Sequence, residues 1–260
     1  MALKCGIVGL PNVGKSSLFN CLSKAKAQSA NFPFCTIEPN IGVITVPDER
    51  LEKLAELVNP EKVQATTIEI VDIAGLVKGA SKGEGLGNKF LANIKECNAI
   101  IHVLRCFDDD NIVHVDGNIN PIRDKETIDF ELQLKDLEAI EKKREKNKKI
   151  ARSSDKEAIK VVSILDKYID HLQKGESIRS LGVTDTEKEV IADLHLLTDK
   201  PVLYVCNIDE NSAKEGNEYV QQVKEVVKME DAEILLIATS IEAEIAELDD
   251  LEEQSLFLSE

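Results

Sequence analysis

The sequence has no long apolar run and no closely paired cysteines or histidines. Its apolar stretches fall short of the roughly 20 residues that a membrane-spanning helix requires. Met1 leads within a few residues into a strand-like segment, which leaves no room for a signal peptide. The six cysteines contain no C-x-x-C pair and the four histidines no H-x-x-x-H pair, which argues against disulfides and a zinc site. We therefore expect a soluble, cytoplasmic protein with no membrane partner.

Acidic residues outnumber basic ones, with 48 Asp and Glu against 32 Lys and Arg. The 260 residues carry a net charge of −16, so binding to nucleic acid through bulk charge is not expected. The charge is uneven: residues 141–152 are strongly basic, whereas residues 242–260 are almost wholly acidic. RNA is therefore a candidate partner for the basic segment alone, and a solvated helix face is an equally good interpretation of that segment.

Residues 9–17 read G-x-x-x-x-G-K-S-S and carry the clearest chemical signal in the chain. A strand-like run precedes them and helical spacing follows, which is the context of a phosphate-binding loop. Its glycines let backbone N–H groups point at a β-phosphate, and the helix N-terminus adds partial positive charge. Lys15 would bridge the β- and γ-phosphates and is a catalytic candidate, while the Ser16 hydroxyl would bind Mg²⁺. The predicted nucleotide-binding residues of this loop are Asn12, Val13, Gly14, Lys15, Ser16 and Ser17.

Two later segments fit the same magnesium–nucleotide site. Thr36, in a loop about twenty residues after Ser16, is a candidate to close onto Mg²⁺, although an ordinary loop threonine fits the sequence equally well. Asp72 and Gly75 form D-x-x-G at the end of a strand, where Asp72 would hold Mg²⁺ through water and the Gly75 N–H would sense the γ-phosphate. The next residue is Leu76, where many GTPases have the glutamine that orients water, so slow hydrolysis is expected.

Residues 207–210 stand where GTPases read the base with N-K-x-D. In that motif the aspartate accepts two hydrogen bonds from guanine and the lysine stem stacks on the ring. Here Ile208 replaces the lysine, and Glu210 is one methylene longer than the aspartate. Both changes should erode the preference for guanine, but backbone groups that the sequence does not reveal decide whether ATP binds better. An ordinary guanine site that tolerates glutamate is the alternative. The predicted nucleotide-binding residues at this end are Asn207, Ile208, Glu210 and Ser240.

A long helical segment interrupts the alternation of strands and helices. Apolar residues recur there at helical spacing in two arms separated by the basic segment, which predicts an antiparallel hairpin whose second arm begins with the capping pattern S-x-x-E at Ser154. We therefore predict an α/β fold: a P-loop NTPase sheet flanked by helices, formed by residues 1–127 and 199–260, with a helical coiled-coil insertion at residues 128–198.

Two further strings, NFPFCTIEPN at residues 31–40 and GASKGEGLGNKF at residues 79–90, are long and unusual. With these strings, the phosphate-binding loop, D-x-x-G and residues 207–210, the chain resembles the YchF/Obg-like ATPase family of translation-factor-related P-loop GTPases along essentially its whole length. The resemblance implies ATP binding in preference to GTP, slow hydrolysis and association with ribosomes. It also implies a C-terminal TGS domain, which we expect to be absent because the sequence stops at Glu260.

His114 follows a buried strand in a polar loop. On the residues alone, an exposed histidine without a role is the somewhat better interpretation. The family resemblance implies instead that this histidine helps hydrolysis, so His114 is a second catalytic candidate.

Three functions compete on the sequence. The first is a Mg²⁺-dependent ATPase switch, and the second is an Obg-type GTPase in which Glu210 accommodates guanine. The third is a nucleotide-stabilised adaptor that docks the ribosome or RNA through its basic segment, with incidental hydrolysis, and Leu76 makes this alternative serious. Asn12 is also a candidate to help hold a K⁺ ion, as in some related GTPases.

Overall fold

The computed structural model describes residues 2–27, 41–73, 86–115, 117–152, 155–228, 230 and 232–248. For residues 24–27 and 86–89 it describes the backbone and not the side chains. Within these ranges no helix is both long and apolar enough to cross a lipid bilayer.

The described strands form one six-stranded sheet. They are β1 (Leu3–Val8), β2 (Ile41–Thr45), β3 (Thr67–Asp72), β4 (Ala99–Arg105), β5 (Val202–Asn207) and β6 (Glu233–Ile237). Their order across the sheet is β2-β3-β1-β4-β5-β6, and β2 alone among them runs antiparallel to its neighbour. The predicted α/β sheet is therefore confirmed.

β1 lies between β3 and β4, and this central position explains its apolar sequence. A parallel strand covered on both faces buries successive residues, and Ile7 and Val8 are both fully buried. A β-carbon on Gly6 would lie 2.8 Å from the Cδ1 atom of Ile73, so a larger residue there would have to displace this core side chain. This packing fixes the end of β1, where the phosphate-binding loop begins.

Helices cover the sheet and extend beyond it. They are α1 (Lys15–Ala27), α2 (Glu49–Val58), α3 (Leu86–Glu96), α4 (Pro121–Ala151), α5 (Lys156–Gln173), α6 (Asp185–Ile191), α7 (Glu218–Val227) and α8 (Thr239–Ile245). α1, α3 and α7 bury Leu18, Ile94 and Val223 in the core of the sheet. Removing such side chains from water is the main stabilising contribution to a core of this kind.

α4 is 31 residues long and joins two apolar cores. Ile128 and Leu132 belong to the core of the sheet, whereas Ile140 packs in a second core that α5 also contributes to. We call residues 137–152 and 155–191 the helical arm. The boundary expected between residues 127 and 128 falls inside this continuous helix, and the division of the chain into domains stays a prediction.

Asp136 fastens α4 to the segment that leads into β5. Its Oδ1 atom accepts a hydrogen bond from the Leu197 N–H at 2.8 Å, and its Oδ2 atom accepts from the Thr198 N–H at 2.8 Å and the Thr198 hydroxyl at 2.7 Å. Burial raises the pKa of Asp136 to about 6, although these hydrogen bonds favour the charged form. The base of the helical arm is therefore held by a buried carboxylate.

The start of α5 differs from the predicted capping box. Asp155 is the N-cap, and its carboxylate accepts hydrogen bonds from the N–H groups of Glu157 at 2.9 Å and Ala158 at 3.1 Å. Ser154 lies outside the described residues. An aspartate satisfies the open N–H groups of a first turn as well as a serine does, so either residue was compatible with the sequence.

Candidate nucleotide-binding site

The loop between β1 and α1 adopts a conformation that depends on its glycines. Gly9 and Gly14 have φ angles of +155° and +101°. A β-carbon would lie 2.6 Å from the Val103 carbonyl oxygen at Gly9 and 2.4 Å from the Asn207 Nδ2 atom at Gly14. Since side chains fit at neither position, both glycines are required for the turn.

Lys15 extends back over the loop that precedes it. Its ammonium group is buried and donates a hydrogen bond to the carbonyl oxygen of Leu10 at 2.6 Å. Burial lowers the pKa of Lys15 to about 8, and the nearby charge of Asp72 opposes that shift. A buried amine of this kind is a strong candidate partner for an anion, because it lacks a direct ion pair in the described part of the chain.

Ser16 and Asp72 meet at the ends of α1 and β3. The Ser16 hydroxyl donates to the Asp72 Oδ2 atom at 3.1 Å. The other carboxylate oxygen, Oδ1, is buried and has no hydrogen-bond partner among the described residues. A hydroxyl beside an unpartnered carboxylate oxygen is the hard oxygen donor set that suits Mg²⁺. These two residues therefore fit a magnesium site.

Three predicted positions of the phosphate end lie outside the described residues. They are Thr36, Gly75 and Leu76. The binding of Mg²⁺ by Thr36, the contact of Gly75 with the γ-phosphate and the replacement of the usual glutamine by Leu76 therefore stay predictions.

Asn207 ties three segments together at the end of β5. Its Nδ2 atom donates to the Val13 carbonyl oxygen at 3.0 Å, and its Oδ1 atom accepts from the N–H and hydroxyl of Thr239 at 3.1 and 3.0 Å. Both polar atoms of the Asn207 side-chain amide therefore have hydrogen-bond partners within the protein. Asn207 therefore positions the phosphate-binding loop and the start of α8, and the residues around it face the cleft.

A cleft of about 530 Å³ opens beside the phosphate-binding loop. That volume lies within the range of small-molecule sites. Its lining includes Asn12, Gly14, Ser17, Asn207, Ile208, Glu210 and Ser240 from the predicted set, together with Phe107, Asp108, Asp109, Ile112, Asp209, Thr239 and Ala243. Val13 is buried behind this surface. The structure thus brings part of the phosphate-binding loop and the predicted base end to one cavity, whereas Lys15, Ser16 and Asp72 do not line it.

The two acidic residues at the far end of the cleft differ in what their carboxylates contact. Asp209 accepts hydrogen bonds from the N–H of Ser212 at 3.1 Å and from its hydroxyl at 2.8 Å, which lowers the pKa of Asp209. The side chain of Glu210 is exposed and lines the cleft. Glu210 is therefore better placed than Asp209 to contact a base.

Arg105 is a residue of this site that sequence reasoning missed. It is buried at the end of β4, and its guanidinium donates to three backbone carbonyl oxygens of the loop that follows, those of Phe107 at 3.2 Å, Asp109 at 3.0 Å and Ile112 at 2.9 Å. It also stacks on Phe107, with 4.7 Å between Cζ and the ring centroid. This loop forms one wall of the cleft. The feature of the sequence that could have identified Arg105 was a charged residue at the end of an apolar strand.

His114 lies at the end of the same loop and does not line the cleft. It is buried, and its Nε2 atom is 2.8 Å from the Asp124 Oδ2 atom in the first turn of α4. The interpretation of His114 as an exposed loop histidine is therefore wrong. The preceding residue, Val113, accepts a hydrogen bond from the Asn12 side chain at 3.1 Å, which links this segment to the phosphate-binding loop.

The chain is similar to known proteins in sequence and in fold. The family model described as 50S ribosome-binding GTPase matches residues 4–167. A protein of Bacillus subtilis named ribosome-binding ATPase YchF is 51% identical over 262 residues, which cover all of this chain and 71% of the relative. A protein of Haemophilus ducreyi with the same name is 54% identical over 260 residues, with the same coverage. The chain belongs to the YchF family.

A solved structure supports the assignment at the level of the fold. The Schizosaccharomyces pombe YchF GTPase superposes with a TM-score of 0.86 at 36% sequence identity, over 99% of this chain and 70% of that protein. The described sheet and helices therefore share the fold of that YchF GTPase. Leu76 and residues 207–210 are the departures from the usual GTPase motifs that this YchF-family chain carries.

Proposed function

We propose that this chain binds ATP with Mg²⁺, hydrolyses it slowly and associates with the ribosome. The observation that carries the proposal is the convergence of Lys15, Ser16 and Asp72 at a phosphate-binding loop that borders a cleft. The base end of that cleft lacks the lysine that guanine sites use. Relatives 51% and 54% identical to this chain are named ribosome-binding ATPases, which supports the same activity here.

At the phosphate end, Lys15 would exchange its hydrogen bond to Leu10 for the oxygens of the β- and γ-phosphates. The backbone N–H groups from Asn12 to Ser17 would hold the remaining oxygens, as they do in phosphate-binding loops generally. Lys15→Ala is expected to abolish triphosphate binding at micromolar concentration while the circular dichroism spectrum is retained. Retained micromolar binding in this variant would contradict the role given to Lys15.

Ser16 and Asp72 are the described residues that would hold Mg²⁺, and Thr36 is proposed to join them. The unpartnered Oδ1 atom of Asp72 supports this assignment. The ion would neutralise charge on the β- and γ-phosphates. Asp72→Asn is expected to raise the Mg²⁺ concentration that half-saturates ATP binding. Gly75 is proposed to contact the γ-phosphate through its N–H.

Another group must orient the attacking water, because the leucine side chain of Leu76 makes no hydrogen bonds. We assign this task to His114, whose segment is joined to the phosphate-binding loop through Asn12. An imidazole can accept a proton and donate a hydrogen bond at neutral pH. His114→Ala is expected to lower kcat while ATP binding is kept.

The preference for ATP is proposed from the absence of a lysine at Ile208, where guanine sites have one, and from the names of the relatives. Ile208 is buried and presents no hydrogen-bonding side chain, and the carboxylate of Asp209 is occupied by Ser212. Glu210 alone is therefore left among residues 207–210 to contact a base edge with a carboxylate. Titration of labelled ATP and GTP tests the proposal. Binding of GTP tenfold more tightly than ATP would reject it in favour of the Obg-type GTPase.

Association with the ribosome is proposed from the names of the relatives. Co-sedimentation of this chain with ribosomes, with ATP, with ADP and without nucleotide, is the direct test. Binding that depends on the nucleotide would support a switch. Binding that is identical in all three conditions would support the adaptor function, in which hydrolysis is incidental.

The basic segment offers a more limited surface than its sequence suggests. Lys143 pairs with Asp193, Arg144 with Asp166 and Lys148 with Glu145, so their charges are partly neutralised. Three exposed lysines on α4 have no ion pair within the ranges that the structure describes, and their spacing places them on one side of the helix. They are Lys142, Lys146 and Lys149.

These three lysines are the proposed contact for RNA. Reversal of all three to glutamate is expected to weaken ribosome co-sedimentation and to reduce its dependence on salt. The matched control reverses three exposed lysines outside the helical arm, Lys62, Lys224 and Lys228. Equal effects of the two triple variants would indicate that only net charge matters and that the segment is a solvated helix face.

A potassium ion near Asn12 is a separate proposal. The side-chain amide nitrogen of Asn12 donates a hydrogen bond to the Val113 carbonyl oxygen, which holds the side chain at the edge of the cleft. Replacement of K⁺ by Na⁺ at constant ionic strength tests it. A kcat unaffected by the exchange would reject a role for K⁺.

A further inference from the structure

The strongest unassigned feature is the pair formed by His114 and Asp124. Their side chains are 5% and 2% exposed, and 2.8 Å separates Nε2 from Oδ2. Asp124 belongs to the first turn of α4, while His114 ends the loop that walls the cleft. Since a carboxylate oxygen only accepts hydrogen bonds, the Nε2 atom that faces it carries a hydrogen. Asp124 thereby selects the tautomer and the orientation of the imidazole.

The other carboxylate oxygen of Asp124 is held as well. Its Oδ1 atom accepts from Arg123 Nε at 3.3 Å and from Nη2 at 3.1 Å. The same guanidinium donates to the Oδ1 atom of Asn118 at 2.6 Å and to the backbone oxygen of Asn118 at 2.7 Å. Arg123 thus joins Asp124 in the first turn of α4 to Asn118, which precedes that helix. A carboxylate fixed on both oxygens is a rigid support for the ring that it contacts.

The pair also lies next to a contact with the phosphate-binding loop. Asn12 donates to the Val113 carbonyl oxygen, so His114 is the next residue after one that touches the loop. This contact joins the segment that carries His114 to the phosphate-binding loop, although the His114 side chain itself does not line the cleft. A histidine whose ring is oriented by a buried carboxylate is the arrangement that enzymes use to present a general base or a water-orienting group.

We propose that Asp124 is a positioning residue for hydrolysis, which holds the His114 imidazole in the tautomer and orientation that the reaction needs. This inference rests on the role that the proposed function gives to His114. Asp124 acts through His114 and does not itself contact the substrate. It should therefore affect kcat rather than the binding of ATP, and only in the presence of the histidine.

The test measures kcat, KM and ATP affinity for His114→Ala, Asp124→Ala, Asp124→Asn and the double variant His114→Ala/Asp124→Ala. We expect Asp124→Ala to lower kcat about tenfold with KM nearly unchanged, as loss of an orienting partner typically does. Asp124→Asn keeps an oxygen that can accept from Nε2–H and should restore part of kcat. It also carries the test if the alanine variant does not fold. The control is Glu126→Ala, an exposed position in the same turn of α4.

The double variant separates the possible failures. If Asp124 acts through His114, the double variant has the kcat of His114→Ala alone, because coupled residues are not additive. A further multiplicative loss in the double variant, or a kcat raised by Asp124→Ala, would overturn the inference and leave the proposed function standing. An unchanged kcat in His114→Ala would reject the role of His114 in hydrolysis, and the inference about Asp124 would fall with it.

Discussion

The side-chain amide of Asn207 donates to the carbonyl oxygen of Val13 at 3.0 Å, across 194 positions of the sequence. This hydrogen bond joins the end of β5 to the phosphate-binding loop. The oxygen of the same amide holds the start of α8 through Thr239. The phosphate end and the base end of the cleft are therefore one connected structure, and a disturbance at either end should reach the other.

Asn207→Ala is expected to destabilise the protein by about 2–3 kcal/mol, because it leaves the buried Val13 carbonyl and the two Thr239 donors without their partner. ATP affinity should fall with it, since the phosphate-binding loop loses its support. Urea denaturation and an ATP titration measure the two effects. Asn211→Ala, an exposed change in the turn that follows β5, is the control. An unaltered urea midpoint in Asn207→Ala would show that this connection contributes little.

Binding of ATP should weaken as the pH rises above about 8. Burial lowers the pKa of Lys15 to about 8, so the amine of the free protein loses its proton in that range. A bound triphosphate favours the charged amine, so binding takes up one proton, and Kd should rise by up to about tenfold per pH unit. Titrations from pH 7 to 9.5 measure this slope. Lys15→Arg keeps its charge throughout, and any binding that this variant retains should lack the slope.

The same pKa shift affects the stability of the free protein. The folded state binds the Lys15 proton less tightly than the unfolded chain does, since the unperturbed pKa is 10.5. The energetic cost of charging this buried amine is present below pH 8 and is lost as the pH rises from about 8 toward 10.5. The contribution of Lys15 to the free energy of unfolding should therefore increase with pH over that window, in the opposite sense to ATP affinity.

Arg105→Lys is expected to weaken ATP binding by about 1–3 kcal/mol, because one ammonium group cannot reproduce the spread of a guanidinium over three carbonyl oxygens. The loss should concern the base end of the cleft, where the loop from Phe107 to Ile112 forms a wall. Comparison of ATP with inorganic tripolyphosphate isolates that end. A similar loss of affinity for both ligands would indicate a general disturbance of the site.

Asp136→Ala is expected to destabilise the protein by about 3–5 kcal/mol, because three buried donors on Leu197 and Thr198 lose a charged acceptor. Limited proteolysis should then cut the segment between the helical arm and β5 more readily than in the unmodified protein. Glu138→Ala, two residues further along α4 and exposed on the surface, is the control for helix propensity. Equal stability of both variants would contradict the part given to Asp136.

Helices and strands whose apolar residues recur with a clear period were predicted well. The strands and helices around the sheet have the expected order, since apolar periodicity directly reflects which face of an element is buried. The domain boundary expected after residue 127 and the N-cap residue of α5 were harder to predict from the sequence. α4 continues to pack on the sheet through Ile128 and Leu132, and a helix that passes from one core to another keeps the same period in both. Asp155 and Ser154 are both good caps, so sequence could not choose between them.

The sequence by itself determined the chemistry of the phosphate end. A loop that wraps a phosphate needs glycine, lysine and serine at consecutive, fixed positions, so the function predicted for residues 9–17 can be read from the local sequence. The tertiary structure alone decided which distant polar groups meet: Asn207 with Val13, Asp136 with Thr198, His114 with Asp124, and Arg105 with the loop beyond β4. Hydrogen bonds have no sequence period, and buried polar groups find partners only when the packing of the elements brings them within reach. That is why a histidine expected in solvent is buried against a carboxylate.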